Sequence, residues 1–154
     1  MKKYSSLLAV LTIVLFATVA FAAVTSYKSP TSINETIQVK NTGSATLGKG
    51  APVVLEATEY TSNAYIGVQG TTDTTAVIIG VLADTLEAEA VGTAIVYGFG
   101  EVLCDETVDS GDNIGASTTS GEADDNNTNA QSMFAIALET SSGRALVDCF
   151  IRCK

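Results

Sequence analysis

The chain of 154 residues has no histidine and no tryptophan, only two prolines and three cysteines, and eight basic residues against 17 acidic ones. Without histidine the commonest general base is missing, and with it every Ser–His or Cys–His pair. No P-loop or dinucleotide fingerprint occurs. Adjacent or turn carboxylates, such as Asp105-Glu106 and Asp109 with Asp112, fit solvated surface better than an acid–base pair. An enzyme is therefore not expected. The shortage of positive charge excludes an electrostatic grip on nucleic acid or on anionic lipid.

The longest apolar run lies in the first 22 residues. Lys2 and Lys3 precede a stretch of apolar residues over 7–20, and Ala20-Phe21-Ala22 ends it in small-x-small form. This is the grammar of a secretory signal peptide, and the run is too short for a good membrane span. Cleavage after Ala22 leaves six basic and 17 acidic residues, a net charge of about −11. The expectation is a secreted, extracellular or cell-surface protein with no membrane contact after cleavage. The remainder has the size of one domain.

Beyond residue 22 the dominant signal is period-two alternation, the mark of half-buried strands. The composition predicts an all-β fold, a small β-barrel or sandwich with an extended N-terminal arm. The arm and linker are placed at 23–46 and the barrel at 47–154. Short strands are expected at 53–57, 65–68, 76–82, 133–138 and 145–151. In the last, Val147, Cys149 and Ile151 share one face. One turn of helix is expected within 84–90, and a long polar loop over 117–131. Residues 92–105 read as a central hairpin, with Gly98-Phe99-Gly100 reversing the chain because glycine reaches positive φ. A weak internal repeat links Gly50-Ala51-Pro52-Val53 to Gly111-Asp112-Asn113-Ile114, each followed by a polar loop and an apolar strand.

Three groups of residues are candidate sites. Cys104, Cys149 and Cys153 are free to form disulfides if the chain is exported. Cys149 and Cys153, four residues apart in one strand, would sit about 13 Å apart, beyond the roughly 7 Å limit. Cys104 is therefore expected to bond one of them, leaving one thiol free or linked to another chain; a turned-back terminus would instead allow Cys149–Cys153. Asp124, Asp125 and Asn127, with Glu122 nearby, crowd oxygen ligands suited to Ca²⁺ into one loop, without EF-hand spacing. No other cofactor is expected. Ile33, Ile37 and Val39 form an apolar stripe at strand spacing in the arm, fitted to pairing with a sheet edge in its own subunit or a neighbour's. Tyr60, Tyr65 and Tyr97 suit core or interface filling better than ligand stacking.

Over residues 47–151 the motifs run from Lys49-Gly50 with Val53-Val54-Leu55, through Ile79-Gly80-Val81-Leu82, Gly92 to Gly98, Gly111-Asp112 and Ile136-Ala137-Leu138-Glu139, to Leu146-Val147 with Ile151. In that order they resemble the capsid decoration (cement) proteins of tailed phages. That resemblance implies a small β-rich fold that often trimerises on a lattice of other subunits, with no catalytic residues. The leader and the cysteines depart from it. The sequence thus points to a secreted structural subunit that assembles with copies of itself into a filament, tube or surface layer. A secreted Ca²⁺-dependent binding module and a virion decoration protein are the alternatives.

Overall fold

Alternating small and β-branched residues give nine strands and no helix among the residues described by the computed structural model, 34–56, 65–125 and 133–153. The strands are β1 (Glu35–Asn41), β2 (Pro52–Leu55), β3 (Ile66–Gln69), β4 (Gly80–Leu82), β5 (Val91–Cys104), β6 (Asn113–Ala116), β7 (Ala123–Asp124), β8 (Ala135–Ala137) and β9 (Ala145–Arg152). Pairing runs β1-β3-β2-β4-β5 and returns from β5 to β1, closing a five-stranded barrel. It then runs β5-β7-β6-β8-β9 and returns from β9 to β5, closing a second ring. Closure removes the exposed edges that invite aggregation. Strand β5 belongs to both rings, called barrel 1 and barrel 2 below.

The two barrels are copies of one plan, and the repeat glimpsed in the sequence is in register. Val53 pairs with Gly80 in barrel 1, and Ile114 with Ala135 in barrel 2. Leu55 pairs with Val68, and Ala116 with Ala123. Thr36 pairs with Ile95, and Phe99 with Phe150. Even the isolated bridges correspond, Leu47 with Leu86 and Val108 with Ser141. Thus β1 is equivalent to the C-terminal half of β5, and the N-terminal half of β5 to β9. Each barrel has its own apolar core. Val39, Val53, Val68, Leu82 and Leu86 help fill barrel 1. Val102, Ile114, Phe134, Val147 and Ile151 help fill barrel 2, where Ile78, Val81 and Ile95 of barrel 1 join them.

Three sequence expectations are corrected. The central hairpin is one continuous 14-residue strand. Gly98 does reach positive φ, at 121°, but the strand runs on through it without reversing. A Cβ on Gly100 would come 2.8 Å from the Ile95 side chain and 2.9 Å from that of Ile151. Glycine is there to let the two barrels pack closely. A register shift beside it skips Val96 in the ladder with β1, and the carbonyl of Val96 accepts from the Cys153 amide instead. Such a bulge re-aims the strand.

The arm is the second, as to its kind: of the two pairings left open, with its own subunit or with a neighbour's, the structure shows the first. β1 is an integral barrel strand, parallel to β3 and antiparallel to β5 of its own chain. Val39 is fully buried in the core of barrel 1 and Ile37 is half-buried against it. The Asn41 amide, buried itself, ties the following turn by donating to the carbonyls of Ala45 and Leu86 and accepting from the Gly43 amide. Third, residues 84–90 form no helix: Leu86 is buried and bridged to Leu47, and Glu89 takes a φ of 62°.

Candidate assembly surface

The outward face of barrel 2 is where the side chains depart from what a solvated barrel needs. In β9 the inward set Val147, Cys149 and Ile151 is buried as the alternation predicts, which turns Leu146, Asp148, Phe150 and Arg152 outward. In the adjoining half of β5, Val102 and Cys104 are buried, and Tyr97, Phe99, Glu101 and Leu103 face out. The antiparallel register sets these in four rows: Tyr97 beside Arg152, Phe99 beside Phe150, Glu101 beside Asp148, and Leu103 beside Leu146. Phe150 makes edge-to-face contacts with both neighbours across the strand pair, 5.2 Å to Tyr97 and 5.3 Å to Phe99 between ring centroids. Such geometry is favourable beyond area burial, so the three rings form a fixed cluster. Yet Tyr97 is 47% and Phe99 50% exposed, and Leu138 is exposed as well. Phe99 and Leu138 line a groove whose rim carries Glu139 and Asp148.

Barrel 1 fits Asn34 to this face. The Asn34 amide donates to the Phe99 carbonyl and accepts from the Phe99 amide, both at 2.9 Å. This fixes the Phe99 backbone. The Lys49 ammonium is paired with Glu101 and is raised in pKa by that hydrogen bond and charge. The arrangement offers no nucleophile with a base beside it. It offers an apolar centre flanked by charge, the make-up of a contact surface.

The sequence-predicted sites fare differently. The three cysteines are free, and the expected bond from Cys104 to Cys149 or Cys153 is not made. The ladder explains why: Cys104 lies opposite Ala145 and Cys149 opposite Gly100, four steps or about 13 Å apart along the strands. The Cys153 amide bonds to Val96, farther still. Burial pushes all three thiols up to about 12. In the acidic loop, Glu122 is buried and its carboxylate accepts from Arg144 at 2.7 and 2.8 Å. Asp124 is drawn into β7 opposite Gly115. Asn127 lies outside the described residues, and among these no group of three His, Cys, Asp or Glu is placed to hold a metal ion. Of the arm stripe, Ile37 and Val39 are in the barrel wall and Ile33 lies outside the described residues, as do the leader and Tyr60. Tyr97 is the one predicted aromatic found at the exposed cluster. Phe99 and Phe150 were missed as site residues because pairing across strands, invisible in sequence, brings them together.

No family model and no curated protein matches the chain. Among solved structures, it resembles the N base of the head fiber protein gp8.5 of bacteriophage phi29. The TM-score is 0.58 at 12% identity, over 77% of this chain and 94% of that one. At that identity the likeness is one of fold.

Proposed function

We propose that the chain is an exported, non-enzymatic structural subunit that assembles with copies of itself into a filament, tube or surface layer outside the cell. The observation that carries this is the exposed aromatic row of Phe99 and Phe150 with Tyr97 on barrel 2. Large apolar groups held rigid at a surface mark an interaction site. The histidine-free composition supports a role without catalysis. The leader-like residues 1–22 support export.

A second reading is favoured by one observation: the fold is shared with the base of a phage head fiber. On that reading the subunit is part of a virion and assembles inside the host. Both readings make the protein structural and differ in where it assembles. The test is to express the full chain with its leader in a bacterial host, fractionate the culture, and examine each fraction by sedimentation and negative-stain electron microscopy. Regular particles in the medium support the exported subunit, and particles confined to cells support the virion protein. A monomer in every fraction contradicts both.

A further inference from the structure

We propose that the outer face of β5 and β9 is self-complementary and docks a second copy of the chain about a two-fold axis. This rests on the assembly reading above and gives it a specific contact. The argument begins with the order of the rows. The aromatic row, Phe99 with Phe150, lies between a row carrying Arg152 with Tyr97 and a row carrying Asp148 with Glu101. Turn a second copy through 180° about an axis that crosses the strands at the aromatic row. β5 then lies over β5, and β9 over β9. Phe99 and Phe150 meet their own copies. Arg152 of each chain falls over Asp148 of the other, and the Tyr97 phenol over the other's Glu101, to which it donates. An apolar centre with charge pairs at its rim is how specific interfaces are built, and an isologous contact uses one patch twice.

The repeat supplies the independent observation. At the equivalent rows barrel 1 carries Thr36 beside Ile95, Gln38 beside Thr93, and Lys40 beside Val91. Gln38 and Thr93 simply hydrogen-bond to each other. A barrel of this plan therefore closes without outward phenylalanines or paired acids on this face. In barrel 2 Glu101 and Asp148 sit side by side, an arrangement that disfavours a sheet; the one Lys49 is ion-paired with Glu101 and reaches Asp148 only as a more distant charge. Among the described residues Arg152 makes no ion pair, its guanidinium reaching only the Asn113 side chain at 3.3 Å. Arg152 and Asp148 are thus in place for a second copy with no ion pair of their own among the described residues, while Glu101 would share its carboxylate between Lys49 and the incoming phenol.

From Tyr97 to Leu103 the face runs about 20 Å along the strands. That is smaller than a standard interface, so the contact is a weak one that dissociates in the micromolar range or above. Sedimentation equilibrium of the full chain over micromolar to millimolar concentration tests it. The wild type is expected to dimerise reversibly, and more weakly as salt is raised. Phe99→Thr, which installs the residue of the equivalent position in barrel 1, should raise the dimer Kd by about 30-fold. Arg152→Glu and Asp148→Arg should each raise it by about tenfold, and the two combined should restore it. The far-ultraviolet spectrum and melting temperature report that each variant stays folded. Failure of the double reversal to restore the dimer overturns the two-fold contact. Assemblies insensitive to all four variants also overturn it while leaving self-assembly standing. A monomeric wild type overturns both.

Discussion

Gly50 and Gly111 hold the same place in the two barrels. Each has a left-handed φ, 77° and 98°, and each donates its amide to the strand opposite, Gly50 to Leu82 and Gly111 to Ala137, both at 2.9 Å. Their surroundings differ. Gly50 is wedged against barrel 2, its carbonyl accepting from the Leu103 amide, whereas nothing lies within 4 Å of a Cβ on Gly111. The same turn thus ends one barrel in a junction and the other in solvent.

That difference gives the first prediction. Gly111→Ala meets only the left-handed backbone penalty, about 1 kcal/mol. Gly50→Ala adds a Cβ 2.7 Å from the Leu103 amide nitrogen and 2.6 Å from the Leu146 side chain, and backbone cannot step aside. It should cost at least about 3 kcal/mol. Urea unfolding of the two variants compares them, and equal losses would contradict the junction.

The cis placement of β1 gives the second. Val39→Ala empties a fully buried position in the core of barrel 1, for a loss of about 2 kcal/mol. Thr36→Ala, on the outer surface of the same strand, should change stability by less than about 0.5 kcal/mol. If β1 served a neighbour instead, both changes would leave an isolated subunit's denaturation midpoint unmoved.

The thiols give the third. Their folded pKa values near 12 lie above the unfolded value of about 8.5. The unfolded chain therefore loses these protons first as pH rises. The contribution is fully present below about pH 8.5 and declines toward pH 12. Stability should fall across that window, and Cys104→Ala with Cys149→Ala should flatten the decline. In native protein at pH 8 an aromatic disulfide reagent should react first with half-buried Cys153, and with Cys104 and Cys149 only on unfolding. Immediate reaction of all three would contradict their burial.

Glu122 and Arg144 give the fourth. Arg144→Met strands a carboxylate that is 8% exposed. Because the Arg144 side chain is itself 63% exposed, water screens the pair, and the melting temperature should fall only modestly. Glu122→Gln in addition should recover part of it, as thermal unfolding of the single and double variants would show.

Much of the fold was legible in the sequence. The alternation of Val147, Cys149 and Ile151 fixes which face of β9 is inside, because a period of two leaves no other choice. Gly50 and Gly111 carried the repeat, since only glycine fits their backbone. What misled was also glycine. Gly98 and Gly100 resemble a turn, but Gly98 takes its positive φ within a continuous strand, and Gly100 makes room for Ile95 of the same strand and for Ile151 of β9, 51 residues away. β7 was hidden for a related reason. Ala123 and Asp124 have no strand signal of their own and are extended because Gly115, Ala116 and Cys104 bind them. The exposed aromatic face escaped notice because its rows exist only after β5 and β9 pair.

The most direct test of the account is side-chain footprinting of the wild-type chain at low and high protein concentration. Hydroxyl radicals label exposed aromatic rings, and mass spectrometry locates the label. Burial of the barrel 2 face predicts that Tyr97, Phe99 and Phe150 are labelled in dilute protein and protected together as assembly proceeds, while Tyr65 in barrel 1 is labelled equally throughout. Unchanged labelling of Phe99 and Phe150 in fully assembled protein would contradict it.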